Sequence, residues 1–562
     1  MNERLVRMSS FGLAGMLLLL FLVPSLASAQ SNAFAQGDKH LQFLERLEIM
    51  LQRNPDLNLY SPKSISRHMA VDISGLQDSS SGNPTIRLTK TDQQNLQSLL
   101  RNNAEWVTRV TENKRTFYRN PANLVEVSQP KFFFALNPVF QVQYALEQDN
   151  QDRVHLNTGG VSLRGLINNR IGFYAYGTRN LETLPSFGLA RIREYGAVPG
   201  AGNYKEYSGH VFDYYDIRAG VSFTALKYFD VQLAYDKNFI GNGYRSLFLS
   251  DYGNSNLFLK VNTRIWKLRY QHLYTALTPE FSGRNWKGNL PFTGKLGAFH
   301  HLSLNATKWL SVGLFQAIIM NDRSGYVHSF PLMFAPISQI TNKKPANDLA
   351  GIDFKANLAK KHQVYGQFLM DQLILKNISD GKGHWDNRLG VQLGARSIDL
   401  FGIENLDLQV EMNMVRPFTY GANDSLSNYS HYRQMLAHPL GANFAEGIAI
   451  LHFQPGRKLT TSAKFIFWTK GVDSASLSFG GNIFKRYSSR PSDLGYTIPS
   501  GMDGKGLNAQ LAVSYELWEN LFLDATALIR NWKVPEDKTL DRNTSVFSLA
   551  LRMNMFKREY DY

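Results

Sequence analysis

The sequence predicts an all-β transmembrane barrel of about 18 antiparallel strands with a small, mainly helical N-terminal region. Three observations predict this fold. Apolar and polar side chains alternate over long stretches after residue 130, the connections between those stretches are alternately short and long, and the chain begins with an export signal. A soluble β-sandwich explains the third observation but not the first two, because its strands are usually only about five or six residues long.

The export signal occupies residues 1–29. Arg4 and Arg7 precede the apolar run Leu13–Val23, and Ala27-Ser28-Ala29 provides a small-residue cleavage site. This order is typical of a secretory signal peptide, which is too short to span a bilayer. The mean hydropathy of the whole chain is −0.27, which argues against a helical membrane protein.

Residues 30–128 are predicted to form a small, mainly helical region. Leu41, Leu44 and Leu47 recur at helical spacing, and a second amphipathic stripe runs from Leu96 to Val107. Apolar residues three or four positions apart lie on one face of a helix. We therefore expect at least two packed helices here.

Residues 129–562 are predicted to form the barrel. In Leu406–Met414 and in Phe547–Met555, apolar residues alternate with polar ones over nine residues. A tilted strand needs about 9–11 residues to cross a bilayer. Charged side chains in mid-strand cost several kcal/mol if they face lipid, but little in a wet lumen. The apolar face is therefore predicted to meet lipid, and the polar face water.

Counting these segments gives the strand number. We expect strands to start near residues 131, 152, 169, 212, 229, 256, 265, 298, 309, 350, 361, 388, 404, 444, 458, 507, 519 and 543. Aromatic residues next to lysine at the short turns, as in Lys227-Tyr228 and Lys308-Trp309, suit a membrane interface. The terminal aromatic Tyr562 resembles the C-terminal insertion signal of outer-membrane proteins.

Composition excludes several classes of function. Cysteine is absent, so there is no disulfide, thiolate metal site or cysteine nucleophile. No HExxH, GxSxG or P-loop is present, and we expect neither enzymatic activity nor a cofactor nor a metal. The net charge is +15. In an exported protein this charge favours lipopolysaccharide or acidic polysaccharide as a partner, not nucleic acid.

The first candidate site is the segment 236–251, which follows a predicted strand. Two glycines beside Asn242 permit a tight backbone that could fold into the lumen. Tyr244 could stack on a sugar ring, while Arg245 and Asp251 could bind hydroxyl or acidic groups. The alternative is a structural plug in which Arg245 pairs with an acidic residue.

The second candidate site is the segment 428–446, in a long loop. His431, Tyr432, Arg433 and Asn443 are predicted either to order a loop across the barrel mouth or to contact a glycan. The histidine and glutamate spacing matches no compact metal site.

These two loops carry a resemblance to a known family. NFIGNGYRSLFLSD (238–251), EMNMVRPFTY (411–420) and YSHYRQMLAHPLGANFAE (429–446) resemble the Wzi capsule-assembly family, especially its Bacteroidota relatives in the gliding-motility RemB group. Weaker matches are VYGQFLMDQL (364–373) and LALRMNMF (549–556). The resemblance implies an 18-stranded barrel in the outer membrane of a Gram-negative, Bacteroidota-like bacterium, with a periplasmic helical bundle.

Three functions remain open at this point. The first is a non-enzymatic barrel that binds or organises surface polysaccharide, as the resemblance implies. The second is a gliding-motility or secretion-associated protein that acts through contacts with motility or export machinery. The third is a passive porin. The HPLGAN segment departs from the Wzi end of the family and resembles the RemB-like branch, so the resemblance alone does not choose between capsule and motility.

Overall fold

The chain forms a closed antiparallel β-barrel of 18 strands. The computed structural model describes residue 34 and residues 37–52, 67–75, 87–107, 117–148, 153–225, 228–279, 295–321, 347–372, 377, 380–422 and 427–562. The predicted signal peptide, residues 1–29, lies outside the described residues.

The 18 strands of the wall are numbered in chain order. They are β1 Phe132–Glu147, β2 Val154–Ile167, β3 Ile171–Thr183, β4 Val211–Ala225, β5 Phe229–Asp236, β6 Asn256–Ile265, β7 Leu268–Leu277, β8 Lys295–Asn305, β9 Leu310–Asn321, β10 Asn347–Leu358, β11 His362–Gln372, β12 Arg388–Ser397, β13 Leu406–Val415, β14 Phe444–Gly456, β15 Leu459–Val472, β16 Met502–Trp518, β17 Leu521–Lys533 and β18 Arg542–Met553.

Every wall strand pairs with the next one in the chain, and β18 closes the barrel on β1. Phe140 pairs with Met553 and Glu147 with Val546 across this seam. Two short strands pair with the first residues of wall strands, Val125–Gln129 with β1 and Lys205–Tyr207 with β4. Closure leaves no free edge in the wall, which a strand in lipid requires.

The predicted strand starts are confirmed. Each of the 18 lies within a few residues of the observed one, the largest difference being 507 against Met502. The predicted faces also agree with the structure. On β18, Leu549 is 50% exposed on the outer face, whereas Arg552 is 6% exposed in the lumen and pairs with Asp524.

Aromatic side chains surround the end of the barrel that carries the short turns, here called the short-turn end. Trp266, Trp518 and Phe401 are strongly exposed there, as are the predicted Tyr228 and Trp309. Exposed tryptophan and tyrosine at strand ends are typical of a membrane interface. Within the described part of the chain, no helix is long and apolar enough to cross a bilayer.

The N-terminal helices cover the short-turn end. They are α1 Leu41–Met50, α2 Arg67–Gly75 and α3 Lys90–Asn102; α4 Ser186–Tyr195 lies at the opposite, long-loop end. Among the described residues, short 3-10 helices occur at Ala104–Trp106, Leu400–Gly402, Tyr487–Ser489 and Lys538–Leu540. The small N-terminal helical region predicted from the sequence is therefore present.

Buried ion pairs fasten α1 to the wall. Arg46 is 3% exposed and contacts Asp92 of α3, Asp399 and Asp407. Breaking such a pair leaves an uncompensated buried charge, which costs about 3–5 kcal/mol. The helical region is thus held by specific contacts with the barrel.

Helix α3 begins with a capping box: the Thr89 hydroxyl accepts from the Asp92 amide at 3.0 Å, and the Asp92 carboxylate accepts in return from the Thr89 amide.

The end of the chain differs from the sequence-based expectation. Tyr562 does not end the last strand. The wall stops at Met553 and the chain turns into the lumen, where Tyr562 is 7% exposed. The similarity of this ending to an insertion signal was therefore misleading.

Candidate functional site

The lumen is filled by three segments that together form what we call the lumen plug: residues 237–255, 427–443 and 554–562. The first two are the candidate loops of the sequence analysis, and the structure brings them into contact. The Ser250 amide donates to the Leu436 carbonyl at 2.8 Å, and the Tyr429 hydroxyl donates to the Phe248 carbonyl at 2.6 Å. The third segment is the C-terminal tail.

The tip of the first loop is fixed by a carboxylate from the wall. Glu411 of β13 accepts from the amides of Tyr244 at 2.7 Å and Arg245 at 3.0 Å. It also accepts from the Tyr365 hydroxyl at 2.8 Å. Hydrogen bonds to a charged acceptor are about twice as strong as neutral ones. The polar face of β13, which alternation predicted, therefore serves to hold this loop.

The C-terminal tail binds the side chains of Tyr244 and Arg245. Asp561 accepts from the Tyr244 hydroxyl, from Lys464 at 3.0 Å and from Arg245 at 3.4 Å. Burial would raise the pKa of Asp561, but Arg245 and Lys464 together hold it well below its usual range. Arg245 also lies 3.6 Å from Glu446. Arg245 is thus paired with acidic residues, as the structural alternative proposed.

His431 links the second loop to its neighbours with both ring nitrogens. Its Nδ1 accepts from the Thr278 amide at 2.9 Å, and its Nε2 lies 3.1 Å from the Ser255 carbonyl. This arrangement requires the neutral ring with its proton on Nε2. Burial lowers the pKa of His431 to about 4, which keeps the ring neutral at pH 7.

Tyr432 and Arg433 form the tip of a tight hairpin between Ser430–His431 and Gln434–Met435. Both tip residues have positive φ, 49° and 56°, as a two-residue type I′ turn requires. The Arg433 guanidinium lies 3.4 Å from the Tyr195 carbonyl at the end of α4. Both side chains are partly exposed, unlike His431.

Asn443 and Asp251 have different surroundings. Asn443 is fully buried, and its side chain amide donates to the Ser500 carbonyl at 2.8 Å while accepting from the Ser500 amide at 2.9 Å. It therefore ties the second loop to the loop before β16. Asp251 is partly exposed and lines an internal cavity.

The structure thus divides the seven predicted residues into two groups. Arg245, His431 and Asn443 are buried in the plug, and the partly exposed Tyr244 is engaged there through its hydroxyl bond to Asp561. Asp251, Tyr432 and Arg433 are partly exposed. Sequence reasoning did not select three residues that organise the site: Glu411, Lys464 and Asp561. A charged residue at a strand position that is predicted to face the lumen was the signal that could have identified such residues. A carboxylate or ammonium that is buried there requires a partner.

The described residues contain no cluster of three or more histidine, aspartate or glutamate side chains arranged to hold a metal ion. His438 and Glu446 form a pair, with Nε2 2.7 Å from the carboxylate, and Glu446 also contacts Arg245. Nδ1 of the same ring accepts from the Leu440 amide at 3.1 Å. Both nitrogens of His438 are therefore used within the plug.

Comparison with known proteins gives fold relatives only. No protein-family model matches the sequence, and no curated protein matches it significantly. Among solved structures, the chain is similar to Wzi of Escherichia coli, described as an outer-membrane protein involved in group 1 capsule assembly and a carbohydrate-binding β-barrel. The TM-score is 0.53 at 12% identity, and the alignment covers 95% of this chain and 100% of Wzi.

Two further structures have lower scores. OprD of Pseudomonas aeruginosa matches with a TM-score of 0.41 at 12% identity, over 75% of this chain and 94% of OprD. OccAB2 of Acinetobacter baumannii matches with a TM-score of 0.43 at 8% identity, over 75% of this chain and 97% of OccAB2. The protein has the fold of a Wzi-like outer-membrane β-barrel.

Proposed function

We propose that this protein is a non-enzymatic outer-membrane barrel that binds or organises surface polysaccharide, in capsule or exopolysaccharide assembly or attachment. The observation that carries the proposal is the extent of the likeness to Wzi, a carbohydrate-binding barrel, which covers 95% of this chain and 100% of Wzi. The net charge of +15 supports an acidic partner, either polysaccharide or lipopolysaccharide.

The proposed contact surface is at the long-loop end. Tyr432 and Arg433 offer an aromatic face and a guanidinium on a rigid hairpin, whereas Asp251 lines an internal cavity. Little conformational entropy is lost when a rigid tip binds. The four engaged residues, Tyr244, Arg245, His431 and Asn443, position this surface.

A polysaccharide pull-down with the full-length protein in detergent tests the surface. The double variant Tyr432→Ala plus Arg433→Ala is expected to reduce retention of the host's surface polysaccharide by about tenfold, as expected for the loss of about 1.4 kcal/mol. Tyr244→Ala plus Arg245→Ala is expected to reduce it as well, by loosening the plug.

The matched control is Lys205→Ala plus Tyr207→Ala. This exposed cation and aromatic pair also lies at the long-loop end, with the ammonium 4.7 Å from the ring centroid. Retention should not change in the control. Unchanged retention in both hairpin and plug variants would refute the site.

The alternative role in gliding motility or secretion, in a RemB-like branch, is distinguishable. There the helical region 30–128 would contact motility or export machinery. The test deletes this protein in a strain that lacks the surface polysaccharide. A loss of gliding after the deletion would support the motility alternative, and unchanged gliding would support polysaccharide binding.

The passive-porin alternative predicts steady ion conductance in planar bilayers. The plug places Tyr244, Arg245, Lys464 and Asp561 in mutual contact inside the barrel. We therefore expect the wild-type protein to be silent. Steady single-channel currents would favour the porin.

A further inference from the structure

An internal cavity of about 230 Å³ lies in the barrel, apart from the proposed polysaccharide surface. The helical region bounds it at one side, with Lys39 and Arg67, and the start of the plug bounds it at the other, with Lys237, Asn238 and Phe239. A water molecule in the liquid occupies about 30 Å³. The cavity therefore has room for a solute of the size of one sugar unit.

The cavity lining is basic. Seven lysine and arginine residues line it, against three aspartates. The basic residues are Lys39, Arg67, Arg164, Arg218, Lys237, Lys260 and Arg552. The aspartates are Asp38, which lies 3.0 Å from His40, Asp236, which accepts from the Tyr174 hydroxyl at 2.6 Å, and Asp251.

Most of these cations are neutralised by acidic residues. Arg218 pairs with Asp216 at 2.8 Å, and Arg164 pairs with Glu105 at 3.0 Å. Lys39 and Arg552 are paired in the same way with acids. Their charge is therefore largely balanced within the protein.

Lys237 and Lys260 differ from the others. Lys237 donates to the Gly200 carbonyl at 2.9 Å, and Lys260 donates to the Asn238 side-chain oxygen at 3.1 Å. Within the described part of the chain, neither ammonium forms an ion pair within 4 Å, and the nearby carboxylates, Asp216 and Asp251 for Lys237 and Asp236 for Lys260, attract them from longer range. Burial, with Arg218 nearby, lowers the pKa of Lys237 to about 8, so it is still largely charged at pH 7.

Asn238 supplies an independent indication of a ligand. It is 9% exposed, and its side-chain nitrogen has no hydrogen-bond partner among the described residues. Because Lys260 donates to the oxygen, the nitrogen is the free end of the amide. A buried unsatisfied donor costs about 1–3 kcal/mol. A ligand with an acceptor would remove that cost.

Aromatic rings complete the lining. Tyr174, Tyr176, Phe239, Phe522 and Phe556 all face the cavity. Aromatic faces suit the apolar faces of a sugar ring, while the tyrosine hydroxyls add polar contacts. The combination of rings with two ammonium groups that form no close ion pair among the described residues favours an anionic and hydroxylated ligand.

We propose that this internal cavity binds one anionic sugar unit, with Lys237 and Lys260 contacting its acidic group and the Asn238 amide donating to one of its oxygens. The acidic group is a carboxylate or a phosphate. This site is separate from the Tyr432–Arg433 hairpin, so it can exist whether or not the hairpin binds polysaccharide.

Isothermal titration calorimetry on the full-length protein in detergent at pH 7 tests the proposal with glucuronate, glucose 1-phosphate and neutral glucose. At least one anion is expected to bind at millimolar or lower concentration, and glucose much more weakly. Glucuronate alone would identify a sugar acid, and glucose 1-phosphate alone a sugar phosphate.

Variants locate the binding. Lys237→Met plus Lys260→Met is expected to weaken anion binding by about tenfold or more. Asn238→Asp, which keeps the shape and places negative charge at the free amide, should do the same even if the double variant folds poorly. The exposed Lys505→Met is the control and should bind as the wild type does.

Three results would overturn the proposal. They are no binding of either anion by the wild type up to about 10 mM, glucose binding as tight as anion binding, or unchanged anion binding in both cavity variants. Loss of polysaccharide retention by the hairpin variant does not bear on this site, so the two proposals fail separately.

Discussion

The wall and the lumen plug use opposite physical principles. In the wall, the Met412 side chain on the outer face of β13 is 50% exposed. The backbone of β13 pairs with β12 on one side and β14 on the other. In the plug, short irregular segments are held by buried charges such as Glu411 and Arg245. The wall depends on a repeated pattern, and the plug on individual contacts. The plug should therefore be far more sensitive to single substitutions.

Adjacent residues of β13 provide the strongest test of this difference. Glu411→Leu removes the acceptor of two plug amides and the Tyr365 hydroxyl, and leaves those buried donors unsatisfied. We expect a loss of about 3–5 kcal/mol in the free energy of unfolding. Met412→Leu, one position away on the lipid face, should cost less than about 1.5 kcal/mol.

Denaturant unfolding of both variants in detergent micelles measures this difference, and hydrogen exchange of the plug amides locates it. If the two variants lose similar stability, then the distinction between wall and plug is wrong. Exchange at Tyr244 and Arg245 should accelerate only in Glu411→Leu.

Acidification should loosen the plug before the wall. The pKa of His431 falls from 6.5 to about 4 in the folded protein. A lowered pKa gives stability that is complete above pH 6.5 and is lost as the pH falls towards 4. The full difference corresponds to about 3 kcal/mol. Hydrogen exchange of the 427–443 segment between pH 7 and pH 4 measures it.

The control for acidification is His431→Asn, whose side-chain oxygen can still accept from Thr278. This variant lacks the titrating ring, so the part of the pH dependence assigned to His431 should disappear. A variant with the same pH profile as the wild type would contradict the assignment.

An exposed ion pair should show the smallest effect. Arg179 is half-exposed and forms two hydrogen bonds with Asp213, at 2.7 and 3.0 Å. Solvent screens such pairs strongly, so Arg179→Met should leave the unfolding midpoint within experimental error. A measurable loss would show that geometry, and not burial, controls ion-pair strength in this barrel.

Alternation explains why the wall was predictable. Along one strand, side chains alternate between the outer face, as Leu549 does, and the lumen, as Arg552 does. Because the barrel is closed in lipid, the same alternation is required in all 18 strands. The plug has no period. His431 and Asn443 are predicted from their positions either to order a loop or to contact a glycan, and in the structure both join segments that lie far apart in the chain.

The C-terminal tail shows most clearly why contacts in the plug cannot be predicted from the sequence. Asp561 lies 316 positions from Arg245 in the chain, and neither residue has a neighbour in sequence that indicates the pairing. Tyr562 was read as the end of a strand because it follows an alternating segment. A turn at Asn554, with φ of 51°, sends it into the lumen instead.

By itself, the sequence determined the barrel, its strand number and which face of each strand meets lipid, because membrane spanning imposes a local and repeated constraint on side-chain polarity. The tertiary structure alone decided what fills the lumen. Which buried charge meets which partner depends on the distances between loops after closure, and no local pattern encodes those distances.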